Sequence, residues 1–179
     1  MKDSIEEKEH VSNLSPSENL PLHQTQLEHL VKILEKQVGK EYITDYYINK
    51  ISKDVPTIVV QREGYLEVAK CLKEHEELQF EYLSDLHGTD FQTHFEVYVY
   101  LYSFSTKQAV ALKVLIDQEK PCIPSLSTIW EGANWPECEV FDLLGIEFSN
   151  HPDLKRILLG EEWIGYPLRK AYKDPDTEV

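Results

Sequence analysis

No run of this sequence is apolar over anything near the roughly 20 residues that a helix needs to cross a bilayer. The first residues, MKDSIEEKEH, also lack the apolar region of a secretory signal, so the expectation is a soluble chain that stays in the cytoplasm. Cysteine is scarce. Cys71, Cys122 and Cys138 are odd in number and widely spaced, with no C-x-x-C pair, so neither a disulfide framework nor an iron–sulfur or zinc ligand set can be read. Neither a P-loop nor a G-x-G-x-x-G is present to hold a nucleotide. Positive charge is in deficit: 18 Lys and Arg stand against 32 Asp and Glu, for a formal net charge of −14. That balance speaks against nucleic acid or anionic lipid as a partner and leaves docking onto a basic protein open. No internal repeat and no second domain are visible.

The 179 residues fit one domain with tails, and a folded part of about 150 residues can bury roughly 68–70% of its unfolded surface. Residues 1–22 are polar and acidic and read as a disordered tail. Over 23–133 the pattern is that of an α+β domain. Leu27, Leu30, Val31, Leu34 and Val38 recur at helical spacing between His23 and Lys40. Strands are expected at 42–51 and 57–61, a helix at 65–74, and strands at 80–86, 96–103 and 108–116. In the middle one, Phe95, Val97, Val99 and Leu101 alternate with Glu96, Tyr98, Tyr100 and Tyr102, giving one aliphatic face and one tyrosine stripe. This order predicts a mostly antiparallel sheet with helices packed on one face. A short helix is expected to begin within 125–131.

Residues 134–172 read differently. Pro136 suits a first helical position, Glu137 and Glu139 put negative charge near the positive end of the dipole, and Gly145 suits the residue just past the helix. Beyond it lies an irregular segment, aromatic and basic, whose backbone His151-Pro152 and Tyr166-Pro167 force into extended or turned shapes. Residues 173–179 read as a frayed acidic tail.

Several groupings could carry chemistry. Asp85, His87, Asp90 and His94 are the right residue types for a metal, but Gly88 and Asp90 read as a turn, and no metal is expected. Cys138, near a helix start with His151 as a candidate base, is expected to be an ordinary surface or interface thiol, because Glu137 and Glu139 oppose a thiolate. Those two carboxylates point to different sides of a helix, so with Asp142 they suit salt bridges or capping better than acid–base work. His151 reads as a turn residue bonded to backbone. Arg156, Arg169 and Lys170 could hold a carboxylate or phosphate.

The stretch NWPECEVFDLLGIEFSNHPDLKRILLGEEWIGYPLRKAY resembles the signature of the C subunit of respiratory NADH:quinone oxidoreductase (complex I). Trp135, Glu137, Glu139, Asp142, Gly145 and Ile146 match its first run. His151, Pro152, Leu154, Arg156, Ile157 and Leu158 match its second, and Gly165, Pro167, Leu168, Arg169, Lys170 and Tyr172 its third. Cys138, Phe141, Leu144, Asn150 and Ala171 depart from it. The similarity spans roughly residues 53–172. It implies a non-catalytic, peripheral-arm subunit on the cytoplasmic side of the cell membrane, packed chiefly against the large quinone-site subunit. NADH, flavin, iron–sulfur clusters and quinone would be held by partner subunits and none by this chain. The implied interface comprises Trp135, Glu137, Glu139, Asp142, His151, Arg156, Trp163, Tyr166, Pro167, Arg169, Lys170 and Tyr172. Trp130 is expected to join it as an aromatic anchor, with Arg156 and Arg169 paired to the partner. The alternatives are the equivalent subunit of a membrane-bound [NiFe] hydrogenase or other quinone oxidoreductase, and a free-standing metal-dependent cytosolic enzyme.

Overall fold

A computed structural model describes residues 20–173; of the expected tails at 1–22 and 173–179, residues 1–19 and 174–179 lie outside the described residues, while 20–22 belong to the first helix and not to a tail. The first helix, α1, runs Leu20–Gln37, three residues earlier at each end than its periodicity suggested. Gly39, at φ 130, and a single 3-10 turn at Lys40–Tyr42 take the chain out of it. Leu27, Leu30, Val31 and Leu34 form its buried stripe. The strands β1 (Ile43–Asn49) and β2 (Val55–Val60) pair as a hairpin, and α2 follows at Tyr65–Glu74.

β3 (Tyr82–Asp90), β4 (Phe95–Ser103) and β5 (Gln108–Ile116) make an antiparallel meander. The five strands lie in the order β1-β2-β5-β4-β3, and only β2–β5 is parallel. Alternation along β4 is as expected: Phe95, Val97, Val99 and Leu101 are buried, and the tyrosines opposite are half-buried. Each of the four buried side chains contributes about 1.5–3 kcal/mol relative to exposure. One continuous core joins this face to the inner sides of α1, α2 and a third helix, α3 (Asn134–Leu144).

Three local expectations need correction. The segment DLHGTD is strand and not a turn; β3 continues to Asp90 and the reversal falls at 91–94. Gly88 has a different task, because a Cβ there would lie 2.6 Å from Leu144 Cδ1 and 3.0 Å from Val140 Cγ1. It lets α3 lie against β3. The short helix expected from Ser125 is a turn followed by one 3-10 turn at Glu131–Ala133. Pro136 is the third residue of α3 and not the first, still within the turn whose N–H groups lack intrahelical partners. Two three-residue strands, β6 (Cys122–Pro124) and β7 (Glu147–Ser149), pair in parallel on either side of α3 in sequence.

Candidate functional site

After α3 the chain has almost no regular secondary structure apart from β7, yet specific groups fix its path. The helix ends at Gly145, left-handed at φ 69, where the amide donates to Phe141 O at 2.8 Å. A side chain there would be strained by that φ and would also meet the Tyr166 ring at 2.5 Å and Arg169 Nη2 at 2.7 Å. The turn and the close approach both require glycine.

Asp142 is the main anchor. Its side chain is wholly buried; Oδ2 accepts the amides of Ile157, Leu158 and Leu159 at 2.7–3.0 Å, and Oδ1 accepts Arg156 Nη1 at 2.9 Å. Burial alone would raise its pKa, but the three amides and the guanidinium outweigh it and hold the carboxyl below its ordinary range. Arg156 also donates to Asp142 O and Gly165 O and lies over the Tyr166 ring. Arg169 donates to Leu144 O at 2.6 Å and Gly145 O at 3.4 Å, with its guanidinium over Tyr166 and Phe95. Both arginines therefore find partners inside this chain, where the sequence had them paired to another. The Lys170 amide donates to Asp90 Oδ2 at 2.8 Å, across 80 positions of sequence. Burial pushes Asp90 up, but that amide, the Gln92 amide, Lys170 and Gln118 hold it below the ordinary range.

With Arg156 and Arg169 turned inward, much of the outward surface here is carbon, interspersed with exposed Asp153, Lys155, Glu161 and Glu162. Trp135, Leu158, Trp163, Ile164 and Leu168 are 42–85% exposed. Sequence reasoning found the tryptophans and missed the three aliphatics. Their signal was apolar residues in a stretch with neither helical nor strand periodicity. Pro167 and Tyr166 are half-buried beside them, as is Tyr172, whose hydroxyl is buried without a hydrogen-bond partner. Trp130 is not an anchor on this surface: it is buried, and its Nε1–H donates to Phe80 O at 2.9 Å.

Glu137 and Glu139 do face opposite ways. Glu139 is exposed on α3, whereas Glu137 is fully buried and ties the helix to the loop after β6. It accepts Ser125 Oγ at 2.5 Å and the Leu126 amide at 2.6 Å. Desolvation dominates those two bonds and pushes its pKa up to about 7. His151, with no exposed side-chain surface, lies 3.8 Å from Glu137 Oε2. The Asp153 amide donates to its Nδ1 and its Nε2 faces Asn134 O at 3.1 Å, which sets the Nε2–H tautomer. The expected backbone-bonded turn residue is there. Cys138, expected at the surface, is buried because Sγ turns inward to Asp153 O at 3.6 Å, with His151 Nε2 at 3.9 Å.

The structure does not gather Asp85, His87, Asp90 and His94. Asp85 Oδ2 pairs with His87 Nδ1 at 2.8 Å, Asp90 accepts three donors as described, and His94 bonds Thr93 and stacks on Phe91. Among the described residues no three potential metal ligands converge, and no helix is long and apolar enough to cross a membrane. A concavity of about 940 Å3 is bordered by Tyr98, Tyr100 and Tyr102 of β4, by the β1–β2 turn, and by His23 and Gln26 of α1.

The family described as respiratory-chain NADH dehydrogenase, 30 Kd subunit, matches residues 58–178. The C subunit of NADH-quinone oxidoreductase from Roseiflexus sp. (strain RS-1) is 43% identical over 117 residues, covering 64% of this chain and 67% of that one. Its counterpart from Geobacter sulfurreducens is 39% identical over 128 residues, covering 68% and 78%. Among solved structures, the trypsin-resistant fragment (1-134) of Nqo5 is 28% identical, with a TM-score of 0.57 over 70% of this chain and 98% of that one. A chain of the membrane-bound sulfane sulfur reductase, an archaeal respiratory membrane complex, shares the fold at 18% identity, with a TM-score of 0.62 over 85% and 88%.

Proposed function

The chain belongs to the family of the 30 Kd subunit of respiratory-chain NADH dehydrogenase, and we propose that within such an enzyme it is a non-catalytic scaffold. It clasps the large quinone-site subunit of the peripheral arm with the segment that follows α3. Electrons pass from NADH to quinone through flavin and iron–sulfur clusters held by partner subunits, and this chain binds none of those groups. It sits peripherally, on the cytoplasmic side of the cell membrane.

The observation that carries this reading is the exposed set Leu158, Trp163, Ile164 and Leu168 on the segment after α3, with Trp135 on α3 itself; Asp142 and Asp90 fix that segment from the folded domain, and its Arg156 and Arg169 are satisfied within the chain. Large aromatic and aliphatic side chains held out on a fixed backbone are the usual core of a protein interface, and a pre-ordered arm saves the entropy of ordering on binding.

The test is to tag the chain, solubilise its host's membranes with mild detergent and identify what is recovered with it. The large quinone-site subunit and an NADH-oxidising flavoprotein are expected. A hydrogenase catalytic subunit in place of the flavoprotein would reassign the electron donor. The double variant W163A/I164A is expected to fold normally and to lose most of that recovery; undiminished recovery would count against the arm as the clasp.

A further inference from the structure

Beside Gly88, against which Val140 and Leu144 of α3 pack, the two elements leave a slot of about 140 Å3. Its apolar wall is Leu86, Val140, Leu143, Leu144 and Leu168, and Asp85, His87 and Glu139 stand at its rim. A cavity of about 150 Å3 lined by aliphatic residues holds a benzene ring, so this slot is the size of one aromatic or branched aliphatic side chain. It adjoins the outward apolar row: Trp135, Glu139 and Leu143 follow one another at four-residue spacing along the exposed side of α3, and Leu168 is shared between slot and arm. Within the rim Asp85 pairs with His87, whereas Glu139 has no cation or donor among the described residues.

We propose that this slot is a socket for one side chain of a sister subunit, an aromatic or branched aliphatic residue next to a lysine or arginine that pairs with Glu139. The apolar wall supplies the desolvated pocket in which an anchor residue gains most of its binding energy. The unpaired carboxylate at the lip selects a cation beside that anchor and disfavours an acidic neighbour. The inference rests on the reading of the chain as an assembled subunit, and it names a contact that the arm alone does not supply.

A photo-crosslinking amino acid placed at Leu143, and separately at Ile164 on the arm, tests it in the assembled complex. A crosslink from position 143 to an aromatic or branched aliphatic residue beside a Lys or Arg of a co-purifying subunit is the result expected. Crosslinks from 164 but not 143, or from 143 to a second copy of this chain or to its own N-terminal residues, would overturn the socket and leave the arm reading standing. Crosslinks from 143 but not 164 would support the socket and remove the arm. Silence at both positions would overturn both. E139K, a surface change that leaves the fold intact, is expected to lower recovery of the complex roughly tenfold at moderate salt, and E139Q by less. Equal, unchanged recovery of the two variants would refute the pairing at the rim.

Discussion

Replacing Glu137 by Gln tests the assignment of a carboxyl group that prefers to be neutral in the folded chain. The group is wholly buried, and burial raises it from an ordinary value of 4.5 to about 7. A folded-state pKa above the unfolded one means that folding takes up a proton between those two values. The group's contribution to stability is therefore complete below about pH 4.5 and is lost as pH rises through 7. A difference of roughly 2.5 units at about 1.36 kcal/mol each makes the loss about 3 kcal/mol. Glutamine is uncharged throughout; its Oε1 can accept the Leu126 amide and its NH2 can face Ser125 Oγ, so both bonds survive in kind. The measurement is urea unfolding of both proteins from pH 5 to 8.5, at equal m-values. E137Q should gain on the parent across that range by about 2.5 kcal/mol, most of it below pH 7.5 and levelling off above, and be the more stable of the two at pH 8. Taking the difference removes titrations the two proteins share, His151 included so long as its position is unchanged. A gap that stays flat with pH would refute the argument, since it would mean that Glu137 keeps the same charge folded and unfolded.

The opposite sign is expected at Asp142. Its carboxyl is held below the ordinary range, so its contribution is lost on acidification, and D142A should cost about 3–5 kcal/mol by leaving Arg156 and three amides unpaired, read by thermal unfolding at pH 7. G145A should destabilise by more than about 1 kcal/mol through its left-handed backbone alone, whereas G160A, with nothing within 4 Å of the added carbon, should change stability by under about 0.5 kcal/mol in the same assay. W130F keeps an aromatic ring and strands the Phe80 carbonyl, a loss of about 1–3 kcal/mol in denaturant midpoint at unchanged m.

Much of the fold is legible in the sequence, because local patterns encode it. The alternation from Phe95 to Tyr102 gave both faces of β4, the bounds of α2 were correct to the residue, and Gly145 was recognisable as a helix terminator. What escaped were features decided by distant neighbours. Gly88 looks like a turn residue until Val140 and Leu144 arrive from more than 50 positions away. Arg169 looks like a cation seeking a partner's carboxylate, yet the carbonyls at the end of α3 satisfy it 24 and 25 positions back. An Arg169→Glu substitution would therefore disturb the arm itself in the isolated chain as well as any contact it makes with a partner. Glu137 and Asp142 are five residues apart on one helix and both buried, but one loses to desolvation and the other does not, because only Asp142 collects three amides and a guanidinium. Charge in a sequence does not say how many donors will meet it.

The parallel seam between β2 and β5 within the five-stranded sheet also bears on how the molecule is born. The hairpin of β1 and β2 can close as soon as it leaves the ribosome, but Thr57 finds its neighbour Ala111 only after about 50 more residues have been made. At 5–20 residues per second that delay is about 3–10 s, during which the greasy side of α1 and β2 has no sheet to settle on. The nascent chain thus carries a sticky half-domain for seconds, an interval long enough for chaperones to bind.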